Sequence, residues 1–272
     1  MINVIAIKDL LDFIRFKICF SASVLAIVGY LLINSFDNEL IFVSLASFLV
    51  TAVGYGYNNI TDKKEDLINR KKINTFASGY GGLFILAACF LAGAIFSFLI
   101  SDISFFIYVI LSVIGILYSF IRVKQHILVK NLYTSFTVGL LYLFGCFTAY
   151  NTITATMLHG YFSVVGFVLI GTLIADLRDL KGDRNAGVKT IPVCIGCAFT
   201  KYVIYFLMLA DSAYILILGL YQFYIILPFF LLEAFILKLN NYHLSHLCCV
   251  YSFVFLAIWL IGVKYILKLV IP

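Results

Sequence analysis

The sequence predicts an all-α integral membrane protein of nine transmembrane helices, with two Asp-rich motifs on helical caps at the cytoplasmic face. Three observations carry that prediction. The 272 residues are 64% hydrophobic and only 12% charged, with a mean hydropathy of +1.09, which is more apolar surface than a chain of this size hides from water. The apolar residues form unbroken runs of about twenty, long enough to cross a hydrocarbon core as helices that pair their own backbone groups. The basic residues gather in links on one side of the resulting path, as cytoplasmic links do.

Residues 1–17 come first. Ile7, Leu10, Leu11 and Ile14 recur at helical spacing, while Lys8, Arg15 and Lys17 mix with Asp9 and Asp12 and no small-residue cleavage site follows. This predicts an interfacial amphipathic helix rather than a cleavable leader. Spans follow at about Ile18 to Ile33, Leu40 to Tyr57, Gly79 to Ile100, Ile103 to Ile121, Leu132 to Tyr150 and Met157 to Ala175, with a last one near Leu247 to Leu269. Tyr202 to Leu237 is nearly continuous and would measure roughly 54 Å as one helix, so it divides into two spans. Gly219 to Gln222 and Asp211-Ser212 are both candidate turns; the first leaves Asp211 inside a span, where an acid is costly and often functional. Glu233 lies in the same apolar region. Residues 1–272 read as a single transmembrane domain.

Charge checks the count. With the N-terminus on the cytoplasmic side and nine alternating spans, every Lys and Arg except Lys264 and Lys268 falls towards the cytoplasm,. The formal charge of +6 therefore reads as a topology signal and not as a nucleic-acid footprint. The seven cysteines are mostly scattered through apolar runs and give no disulfide framework. Cys194 and Cys197 have redox or zinc spacing without a second pair or a His cluster nearby.

Carboxylates are scarce, so their clusters need a reason. Asn58, Asp62 and Asp66 are spaced by four, and if the second span stays helical their oxygens share a face. Asp179 and Asp183 have the same spacing, with Asp176 three residues before Asp179. Two faces of hard oxygen donors suit magnesium, which keeps waters and takes further ligands from a substrate's phosphates. Arg122, Lys124 and Lys130, with Lys71, Lys72, Arg178 and Lys189, can neutralise charge on a departing diphosphate. A diphosphate over an apolar helical body implies a long hydrocarbon at its other end, as in isoprenyl diphosphates. The two acidic links lie four spans apart and each runs into small residues, a weak internal echo.

Asn58-x-x-x-Asp62-x-x-x-Asp66 resembles the first motif of the UbiA-type intramembrane prenyltransferases, and Asp179-x-x-x-Asp183 resembles the second. The string from Asp176 to Pro192 is similar to that family well beyond its acids, and Tyr118-Ser119 followed by Arg122, Lys124 and Lys130-Asn131 resembles its third cytoplasmic link. The resemblance implies helices around a central cavity and two magnesium ions bridging the motifs to a prenyl diphosphate. Metal and catalytic roles then carry to Asn58, Asp62, Asp66, Asp179 and Asp183, with Asp176 beside them. Diphosphate contacts carry to Arg122, Lys124 and Lys130, with Lys72 and Tyr118. Asn59 stands where many members have Asp, the stretch from Asn69 to Gly79 lacks the usual prolines, and Arg15-Phe16 replaces an Arg-Pro.

The expected activity is magnesium-dependent transfer of an isoprenyl group from its diphosphate to an apolar acceptor, aromatic or lipid, within the membrane. A cyclase on the same scaffold and a transporter are the alternatives. A transporter more naturally places its acids at mid-membrane, whereas these cluster at one face.

Overall fold

The computed structural model describes residues 4–34, 36–63, 73–123, 126–148, 152–185 and 187–270, with side chains described for all of these except 4, 5 and 263–270. The described residues are helical and contain no strand. A short helix α1 (Val4–Phe13) precedes α2 (Phe16–Ile33) and α3 (Glu39–Thr61). A single 3-10 turn at Phe76–Ser78 leads into α4 (Tyr80–Ile100), α5 (Asp102–Phe120) and α6 (Ile127–Cys146). Then come α7 (Ala155–Asn185), the short α8 (Ile191–Ile195), α9 (Cys197–Ile217), α10 (Ile226–Lys238) and α11 (Tyr242–Val270).

Among the described residues eight helices, α2 to α7, α9 and α11, are long and apolar enough to cross a membrane. The ninth expected span is α10, and it is short: its 13 residues extend only about 20 Å. Local chemistry explains the shortfall. Gly219 adopts φ +62°, and the Leu220 and Gly219 amides close back on the carbonyls of Ile215 and Leu216, a glycine-terminated stop that ends α9. A 3-10 turn at Tyr221–Phe223 follows, and Pro228, lacking an amide hydrogen, is confined to the first turn of α10. The turn therefore lies at Gly219 to Gln222, and Asp211 sits inside α9.

Two expected boundaries also moved. Helix α6 begins at Ile127 rather than near Leu132, because Lys130 and Asn131 are helical and find partners on α7. Helix α7 runs ten residues beyond Ala175, carrying the second motif with it. Gly187 (φ +69°) ends it with the same stop, the Val188 amide reaching the Asp183 carbonyl at 2.9 Å.

Helix α2 packs against α3, α6 and α11. It crosses α6 backbone to backbone: a Cβ added at Gly29 would stand 2.0 Å from the Tyr142 carbonyl oxygen, and one at Gly145 would stand 1.9 Å from that of Ala26. Small residues permit such approach in membranes, where packing rather than water expulsion drives association. Tyr30, Tyr108, Tyr142 and Phe167 are fully buried in the interior, whereas α4 presents Phe84, Leu91, Ile95, Phe98 and Leu99 outward. Apolar residues on both faces are what a lipid-facing helix requires.

Candidate functional site

Hydrogen bonds between helices gather the polar residues at one end of the bundle. Arg15, before α2, meets Asn59 at the end of α3 (3.2 Å). Asn58 meets Ser119 at the end of α5 (3.0 Å). Lys130 at the start of α6 meets Asp176 on α7 (2.7 Å). Arg178 approaches His246 on α11 (3.4 Å), and Lys201 on α9 meets Asn240 in the α10–α11 turn (2.5 Å). Both acid-bearing helix ends therefore lie on the same side of the bundle. The opposite end carries its own ties, Tyr30 to Asp37 (2.5 Å) and His159 to Tyr214 (2.8 Å).

The first motif is built on the last turn of α3. The Asp62 amide donates to the Asn58 carbonyl at 2.9 Å, so the helical register holds through Asp62 and the two side chains share a face. The Ser119 hydroxyl donates to Asn58 Oδ1, and Tyr118 beside it packs its ring 5.5 Å from that of Tyr133 on α6. Asp62 is close enough to act electrostatically on the Tyr118 phenol. Asn59, one residue on and about 100° around the helix, faces elsewhere. Its amide nitrogen donates to the Phe13 carbonyl at 2.5 Å, its oxygen accepts from Arg15, and the Arg15 guanidinium lies 5.4 Å above the Tyr55 ring. Asn59 thus ties α1 to α3, apart from the donor face. Asp66, Lys72 and Lys124 lie outside the described residues.

The second motif rides on α7. At 31 residues this helix extends about 46 Å, well over the thickness of a hydrocarbon core, so residues 176–185 project past it. Asp179 is held by Arg178 through two bonds, Nε to Oδ1 at 2.8 Å and Nη2 to Oδ2 at 2.7 Å. That guanidinium keeps the Asp179 carboxyl below the usual range, burial opposing it. Asp183 is pushed the other way, chiefly by burial. Opposite shifts on two carboxyls one turn apart follow from their different surroundings on one helix.

Asp176 has partners that its spacing did not foretell. Only 4% of it is exposed. Oδ1 accepts from Lys130, and Oδ2 accepts from Asn131 Nδ2 at 3.0 Å. Both oxygens are engaged by protein, in an ion pair with Lys130 and a hydrogen bond from Asn131, while the Asp176 charge still acts on Asp183 further along the helix. Lys130, expected to face a diphosphate, is the other half of that pair. Arg122 is exposed and adopts a left-handed φ of +51° just past α5. Ser119, Asn131, Thr172 and His246 were given no role from the sequence; the signal for Asn131 was a polar residue persisting into a helix after Lys130.

The donor set suits a hard, partly hydrated cation. Asn58 and Asp62 offer a carboxamide oxygen and a carboxylate from one helix end, and Asp179 and Asp183 offer carboxylates from another. Among the described residues no three His, Cys, Asp or Glu side chains cluster as a complete metal cage. Magnesium does not ask for one, since it keeps waters and takes phosphate oxygens. A cavity of about 280 Å³ lies on the α1 side of α3, lined by Asp9, Asp12, Asn59, Lys63, Ile73, Asn74 and Ala77. It is flanked by Asn59 and not by the motif face.

Comparison with known proteins agrees with this architecture. The family model for "UbiA prenyltransferase family" matches residues 21–259. The digeranylgeranylglyceryl phosphate synthase of Methanococcus aeolicus is 29% identical over 196 residues, 70% of this chain and 69% of that protein. A UbiA homolog from Aeropyrum pernix K1 superposes with a TM-score of 0.74 at 17% identity, covering 93% of this chain and 98% of that one. A UbiA homolog from Archaeoglobus fulgidus, solved bound to GPP and Mg2+, superposes with a TM-score of 0.72 at 14% identity, covering 93% and 99%.

Proposed function

The chain belongs to the UbiA prenyltransferase family, and from that premise we propose that it moves an isoprenyl group from its diphosphate to a lipid acceptor at the membrane's cytoplasmic face, with magnesium. The observation that carries this reading is the placement of two acid-bearing helix ends, Asn58/Asp62 and Asp179/Asp183, on the same end of an apolar bundle. The A. fulgidus homolog bound to GPP and Mg2+ supports the donor and the metal. Relatives named for digeranylgeranylglyceryl phosphate favour an acceptor with a glyceryl phosphate head over an aromatic one.

Asn58, Asp62, Asp179 and Asp183, with Asp66, would hold the metal ions. Magnesium, when bound, supplies positive charge to the diphosphate oxygens and so weakens the allylic C–O bond. The chain's own residues do the rest. Ser119 fixes the Asn58 carboxamide. Arg122 and Lys130 bring cations to the diphosphate, which departs with the bonding electron pair. The acceptor's hydroxyl oxygen then bonds to the allylic carbon and its proton passes to the released diphosphate, completing an ether. The apolar interior excludes water, which would otherwise capture the allylic carbon and yield the free alcohol.

Purified protein given geranylgeranyl diphosphate and a glyceryl phosphate lipid should release diphosphate and form the prenyl ether only with magnesium. Asp62→Ala and Asp179→Ala should abolish both products. Full activity in either variant, or a cyclised hydrocarbon without any ether, refutes the assignment.

A further inference from the structure

We propose that Asn131 is a positioning residue that sets the Lys130 ammonium through Asp176, and that this bracing is the task of Asp176. The inference rests on the prenyl-transfer reading, since it gives Lys130 its diphosphate to meet. Asn131 is wholly buried one turn into α6, and its Nδ2 reaches two side chains on α7, Thr172 Oγ1 at 3.2 Å and Asp176 Oδ2 at 3.0 Å. Those two partners are four residues apart and so share a face of α7. Asn131 Oδ1 meanwhile has no partner. Turning the amide over would set that oxygen against the Asp176 carboxylate, so the carboxylate dictates the orientation at the expense of an unmatched acceptor.

The other oxygen of Asp176 takes the Lys130 ammonium at 2.7 Å, and the Lys130 side chain remains 28% exposed against 5% for Asp176. The pair is therefore anchored inside the protein and open on the lysine's side. A lysine is a point charge on a flexible four-carbon stem. Fixing it beforehand removes ordering that binding would otherwise have to impose. Asp176, which holds the ammonium, lies on the same helix as the second motif, and the charge of Lys130 acts on both Asp179 and Asp183. The arrangement is a relay of position: Thr172 and Asn131 hold Asp176, Asp176 holds Lys130, and Lys130 is left with further N–H donors for an anion.

The test is a cycle in full-length protein with inorganic diphosphate as the probe. Direct binding of diphosphate with magnesium, KM for geranylgeranyl diphosphate and kcat are measured for wild type, Asn131→Ala, Lys130→Met and the double variant, with thermal unfolding alongside. Asn131→Ala should weaken diphosphate binding and raise KM by about tenfold, the size of one charge-assisted hydrogen bond, and should have no further effect once Lys130 is Met. Equal losses in both backgrounds would mean a general packing role and overturn the proposal. Thr172→Val, which leaves the Asp176 bond in place, should produce a smaller shift of the same kind that also vanishes with Lys130→Met; it carries the test if Asn131→Ala does not fold. Diphosphate binding unchanged by Asn131→Ala overturns the proposal while wild-type turnover still upholds prenyl transfer. A wild type that binds diphosphate yet never forms a prenyl ether overturns the transfer reading instead.

Discussion

Asp176 and Asp179 stand three residues apart on one helix, and replacing each by Asn should have very different effects on stability. Asp176→Asn keeps shape but removes charge. The new amide must turn its NH2 towards either Lys130 or Asn131 Nδ2, so a donor faces a donor, and the Lys130 ammonium loses its anion. Breaking a fully buried pair costs about 3–5 kcal/mol. Water shares the Lys130 side chain, which is 28% exposed, so the cost reduces to about 2–3 kcal/mol by the same reasoning. Asp179 and Arg178 are 52% and 34% exposed, which makes their pair a surface one worth about 1 kcal/mol at most. Thermal unfolding in detergent without magnesium reads the difference: Asp176→Asn should lower the midpoint by about 5 °C and Asp179→Asn by little, while turnover is lost in the latter. Equal destabilisation by the two variants refutes the ranking. A stable Asp176→Asn whose only defect is a raised magnesium requirement would make Asp176 a metal ligand after all.

Ser119→Ala should raise the magnesium concentration for half-maximal activity by about fivefold, the scale of one hydrogen bond, because Asn58 Oδ1 loses the hydroxyl that orients it. An unchanged magnesium titration excludes that role. Gly145→Val should disrupt the α2–α6 crossing: a Cβ there would lie 1.9 Å from the Ala26 carbonyl oxygen, so two backbones must part. The cost lies at or above the upper end of the roughly 1–3 kcal/mol typical of overpacking. Gel filtration and thermal unfolding measure it, and a variant with the wild-type midpoint would contradict the close crossing.

The helical plan was legible because lipid solvates apolar side chains on every face, so each span must be apolar along its length and stands out as a run. Hydropathy failed where polar residues are helical for tertiary reasons. Lys130 and Asn131 look like link residues, but Asp176, 46 positions away, satisfies them and lets α6 start early. At α10, Pro228 and the glycine stop at Gly219 leave a helix of 13 residues within an apolar stretch that reads as a full span. The choice between the Gly219 and Asp211 turns needed structure too. A Cβ at Gly166 on α7 would meet the Asp211 carboxyl at 3.4 Å, so this acid is accommodated at a helix seam where a bend was the alternative.

Spacing by four made the motifs visible, because it is a local property of a helix. Which acid does what is not local. Asn58 and Asn59 are neighbours, yet rotation alone sends one to Ser119 and the other to Arg15 and the Phe13 carbonyl. Asp176 and Asp179 face similar directions but differ in depth by about 4.5 Å along α7, and depth decides whether α6 is there to meet them. The deeper acid is claimed by Lys130 and Asn131, whereas Asp179, past that contact, keeps an exposed carboxylate bonded to Arg178. An acid free to meet a ligand is thus the one the neighbouring helix does not reach, and that depends on where the α5–α6 link ends, far away in the chain.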